Sequence, residues 1–98
     1  IAVPVNCNVA GGIAARYLER VGAAILVTDR AGYARLYQDA QVAPPACVRQ
    51  IVLTDAGADA PPGARANVHA LAALLARPLA SVPACPRGPD DPLYVVHT

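Results

Sequence analysis

Short, uninterrupted apolar runs alternate with amphipathic stretches along this chain, and that alternation constrains the fold more than any other feature. Ala24-Ile25-Leu26-Val27-Thr28 and the segment from Val48 to Thr54 are apolar and β-branched over five to seven positions. The segments from Ile1 to Asn6 and from Leu93 to His97 have the same character. Strands buried on both faces read as continuous apolar runs, whereas half-exposed strands alternate. Four strands are therefore expected, at residues 1–6, 24–28, 48–54 and 93–97.

The stretches between them have helical spacing. Val9 to Gly22 places Ile13, Tyr17, Leu18 and Val21 on one face and Arg16, Glu19 and Arg20 on the other. Asn8 is its expected N-cap and Gly22 its stop, while Gly11-Gly12 weakens the first turn. Arg30 to Ala40 forms a second helix capped by Asp29, with Tyr33, Leu36, Tyr37 and Ala40 on one stripe; Pro44-Pro45 follows as a breaker. Asn67 is positioned to cap a third helix through about Ala76, with Val68, Leu71, Ala72 and Leu75 sharing a face. Residues 55–65 and 78–92 are rich in Pro, Gly and Asp and read as connections. Strand and helix in strict alternation predict an α/β fold with a mostly parallel sheet flanked by helices, joined by right-handed crossovers.

Composition excludes several classes of function. The chain has 98 residues, 55% of them hydrophobic, which is globular and not disordered. Its net charge of +1 comes with scattered Arg residues, so no basic stripe points to nucleic acid. Every cation is Arg; with no Lys, no lysine-dependent chemistry resides in these residues. No apolar run approaches the roughly 18 residues of a membrane span, and no secretory leader is visible. Cys7, Cys47 and Cys85 are odd in number and widely spaced, and neither His69 nor His97 stands at metal-ligand spacing from them. Buried, reduced thiols in a cytoplasmic protein are the expected state. The chain opens and closes on apolar, strand-like segments, which predicts that it is an interior piece of a longer polypeptide.

Ligands of parallel α/β sheets bind at the carboxyl ends of the strands. Those ends carry Asn6, Thr28-Asp29, Thr54-Asp55 and His97-Thr98. For Asn6, Asp29 and Asp55, capping and turn formation are the expected roles. No GxGxxG, GxxxxGK[ST] or Gly-x-Ser-x-Gly motif occurs, and the single Ser, Ser81, lies in a proline-rich connection. His69 is expected to be structural and Asp90-Asp91 to be a solvated turn. The residues by themselves give a sheet without a catalytic constellation.

Four segments in order carry a resemblance. They are Ala2-Val3-Pro4-Val5-Asn6 with a helix ending Val21-Gly22-Ala23, then Ala24-Ile25-Leu26-Val27-Thr28-Asp29, then Val48 to Asp55, then Pro89-Asp90-Asp91-Pro92 leading into Leu93 to Thr98. In this order they resemble the amino-terminal domain of the adenylate-forming (AMP-binding) superfamily, which includes acyl-CoA synthetases, luciferases and peptide-synthetase adenylation domains. The resemblance spans essentially the whole chain. Cys7, Ile13 and His97 depart from the family pattern, standing where Pro, Glu and an aromatic residue are frequent.

The resemblance implies a partial amino-terminal subdomain over residues 1–98, Rossmann- or flavodoxin-like, within a larger adenylation domain. It implies a ligase that activates a carboxylic acid with ATP and Mg²⁺ and passes the acyl group to CoA or to a carrier-protein thiol. Thr98 would be the first hydroxyl of the phosphate-binding loop and the one ATP-contacting residue here; no catalytic or metal-ligating residue is implied. The remainder of the same polypeptide would be the chief partner, and the 98 residues alone would be inactive. A stand-alone flavodoxin-like or Rossmann-like domain, binding a nucleotide or purely structural, is the alternative.

Overall fold

A computed structural model describes residues 2–6, 8, 11–38, 45–55, 67–78, 81 and 83–92. Within them lie helix α1 (Gly11–Val21), strand β1 (Ile25–Thr28), helix α2 (Arg30–Tyr33) running into a π-helical turn (Ala34–Gln38), strand β2 (Gln50–Leu53), strand β3 (Asn67–Ala70) and helix α3 (Leu71–Leu75). The strands form one sheet in the order β1-β2-β3, parallel throughout. The architecture is mixed α/β with a small, open, parallel sheet. The strand expected at residues 93–97 lies outside the described residues.

Register places Leu26 beside Ile51 and Val68, and Thr28 beside Leu53 and Ala70. Side chains alternate across a strand, so these six share one face. That face is the core: Leu26, Ile51 and Leu53 are buried with Leu18 of α1, Tyr33 of α2 and Val48. Full burial of an aliphatic side chain contributes about 1.5–3 kcal/mol. Burial also pushes the Tyr33 hydroxyl above its usual pKa. The neutral form is thereby favoured in the fold, so this contribution is complete below the ordinary tyrosine range and is lost as pH rises through the raised value.

The opposite face carries Ile25, Val27 and Val52 with Gln50, Asn67 and His69. Ile25 and Val27 are exposed there. Both α1 and α2 contribute buried residues to the core face.

Helix ends follow local chemistry. Gly22 adopts φ 65°, its N–H donates to Glu19 O at 3.1 Å, and Ala23 N–H donates to Leu18 O at 3.0 Å. This paired closure with a left-handed Gly is a Schellman motif, which only Gly enters without strain. Asp29 caps α2, its Oδ1 accepting from Gly32 N at 2.6 Å. Both endings match the sequence reading.

Four expectations are corrected. Asn67 does not cap a helix: it opens β3, its N–H donating to Arg49 O at 3.2 Å, and only the five residues Leu71–Leu75 are helical. Pairing with β2 satisfies the backbone of Asn67 to Ala70 more fully than a helical start with a single side-chain cap. Val68, Leu71, Ala72 and Leu75 consequently share no buried face, and Leu75 is exposed. The first segment is not a strand over its described residues: Ala2 makes an isolated bridge and Val3 to Asn6 are irregular. Pro4 lacks an N–H for a ladder, and the Asn6 side chain accepts from Asn8 N at 2.9 Å, which turns the chain.

The second helix does not hold α geometry to its end, passing into a π-helical turn at Ala34. In α1 the buried positions are Ala14, Ala15 and Leu18, whereas Ile13 and Val21 are exposed and Tyr17 is half-buried. Of the expected face only Leu18 is fully buried, and the small Ala14 and Ala15 are buried with it.

Candidate functional site

The carboxyl edge of the sheet is where a parallel α/β fold presents a ligand, and its residues fall into place from the strands outward. Thr28 ends β1 and Leu53 ends β2, in register. Thr54 N–H donates to Thr28 O at 2.9 Å, extending the ladder one residue past β2. This brings Thr28-Asp29 and Thr54-Asp55 to one edge of the sheet, offset by one residue.

Both carboxylates turn toward the start of α2. Asp29 Oδ1 accepts from Gly32 N, and Asp55 Oδ1 accepts from Arg30 N at 2.9 Å. Two backbone amides of the first helical turn, which lack partners inside the helix, are thus satisfied, one locally and one from the neighbouring strand. The negative charges also lie at the favourable end of the helix dipole. Gly32 permits this approach. A Cβ there would collide with Thr28 Oγ1 and come within 3.0 Å of Asp29 Oδ1. The edge is a tightly tied platform in which each acid has a structural task. The capping role expected of Asp29 holds; for Asp55 the bond to Arg30 reaches across 25 residues, which no local pattern signals.

Beside this edge an open hollow of about 1380 Å³ runs along β1. Its lining includes Val3 and Asn6 of the first segment, Leu18 of α1, Leu26 and Val27 of β1, and Asp29. Formed ligand pockets are typically about 300–1,000 Å³ and concave, with convergent polar groups. This hollow is larger and opens to solvent, an open groove lined by the first segment, α1, β1 and the α2 segment. The three described strands follow one another without a reversal of order, so they contain no topological switch point of the kind that seats nucleotides in doubly wound sheets.

The other candidates resolve individually. His69 stands on β3, not on a helix, and its Nε2–H donates to Gln50 Oε1 at 2.6 Å across to β2. This pair was missed in the sequence, since it depends on a parallel register that places His69 beside Val52. Asp91 accepts from Gly88 N at 2.7 Å and donates its own N–H to Gly88 O at 3.2 Å, while Arg87 donates to Pro92 O. The segment is an exposed turn, as expected. Cys47 is half-buried with its Sγ 3.6 Å from Leu18 O, and both it and Cys85 are free thiols. Cys85 is exposed, which corrects the expectation of uniform burial; its proline-rich surroundings form no core. Cys7, His97 and Thr98 lie outside the described residues. Among the described residues no group of three or more His, Cys, Asp or Glu is placed to hold a metal ion. Also among them, no helix is long and apolar enough to cross a membrane.

No protein-family model, characterised protein or solved structure matches this chain.

Proposed function

We propose that this chain is scaffold from the amino-terminal, Rossmann- or flavodoxin-like subdomain of an ATP-dependent acyl-activating ligase, an enzyme that adenylates a carboxylic acid and transfers the acyl group to CoA or a carrier thiol. The observation that supports the reading best is the carboxyl edge. Two parallel strands end in Thr-Asp pairs offset by one residue, Thr28 standing beside Leu53, and both acids are tied to amides in the first turn of the next helix. Such an edge is a rigid base on which phosphate-binding segments can be mounted. It has no lysine and no free acidic cluster among the described residues with which to run the chemistry itself. The ordered resemblance of the four sequence segments adds the reaction class.

Adenylation is attack of a carboxylate oxygen on the α-phosphorus of ATP, with release of pyrophosphate. It depends on positioning and charge neutralisation. In this reading ATP and Mg²⁺ are held by other parts of the polypeptide, with Thr98 contributing the first hydroxyl of the phosphate loop. A hydrogen bond to a charged group contributes about 1.5–3 kcal/mol, which corresponds to roughly a 10- to 150-fold change in rate.

The test is carboxylate-dependent exchange of pyrophosphate into ATP, measured below saturating ATP. The gene product that carries this chain should exchange with at least one acid in a panel, and Thr98→Val should slow it by about 10- to 150-fold with folding unchanged. The 98 residues alone should not exchange. Robust exchange by the isolated chain, or ATP binding without exchange by the whole gene product across the panel, would overturn the ligase reading. The second outcome would favour a nucleotide-binding module without chemistry. Equal rates for Thr98→Val and the parent would remove Thr98 from the ATP site.

A further inference from the structure

We draw no further inference here: the strongest candidate, the open face of the three-stranded sheet that carries Ile25, Val27 and Val52, is an unpartnered apolar surface, and nothing in the structure shows what covers it.

Discussion

Leu26 and Val27 are adjacent in one strand, yet Leu26 is 8% exposed and Val27 61%. The first lies on the face packed by α1 and α2, the second on the face they leave open. Equal hydrophobicity in the sequence has become unequal burial because α1 and α2 both pack on the Leu26 side. Covered apolar residues carry the stability of the fold; uncovered ones of the same type carry almost none. Parallel sheets ordinarily have both faces covered, so the contrast between these two faces is the sharpest feature of the molecule.

The contrast breaks most readily at Leu53. It is 1% exposed and belongs to the central cluster. Leu53→Ala should cost about 2–5 kcal/mol through lost transfer energy and the cavity left behind. Urea denaturation of the chain should show a lower midpoint with the slope retained. A loss well under 1 kcal/mol on the scale of such substitutions would mean that the covered face is not a packed core.

A smaller loss is expected where α2 meets the sheet edge. Gly32→Ala forces a methyl group against Thr28 Oγ1. Overpacking of this kind costs about 1–3 kcal/mol. Combining it with Thr28→Ala removes the obstructing oxygen, and the double variant should be more stable than the sum of the two singles. Strict additivity would show that the close approach is not the cause.

Asp29→Ala deletes the cap of α2 and should cost about 0.5–2 kcal/mol, read as a lower midpoint in the same titration. Asp55 would still hold Arg30 N, so α2 should persist, with its helical circular-dichroism signal retained below the transition. Loss of that signal in the native baseline would show that the local cap alone nucleates the helix.

The smallest effect is expected on the open face. Ile25→Thr keeps β-branching and removes apolar surface that is already in water, so stability should change by no more than about 0.5 kcal/mol. A loss comparable to that of Leu53→Ala would show that Ile25 is covered in solution and would erase the distinction between the faces.

Several local features were legible because their causes are local. Gly22 was readable as a helix stop because a left-handed residue is needed there, and Asp29 as a cap because its carboxylate reaches only three residues forward. The two central strands were readable from their β-branched runs. The segment after Asn67 misled because Asn before an apolar stretch is a good helix signal in isolation. A neighbouring strand with unmatched backbone groups outweighed it. The Asp55–Arg30 and His69–Gln50 bonds left no trace in local pattern, since each joins residues that only the parallel register brings together. In α1, periodicity located the helix and the buried Leu18 but missed Ala14 and Ala15, because it weighs size and hydrophobicity.

The sequence by itself determined the order of α1, β1, α2 and β2, the stop of α1 at Gly22, the cap of α2 at Asp29 and the polar character of the strand ends. These follow from steric and hydrogen-bonding preferences acting within a few residues. Only the tertiary structure decided that residues 67–70 are a strand, that Ala14 and Ala15 are buried while Ile13 is exposed, and that one sheet face is packed while Ile25 and Val27 on the other are exposed. Those outcomes depend on which backbone groups find partners and which surfaces meet across long separations, and no short window of sequence contains that information.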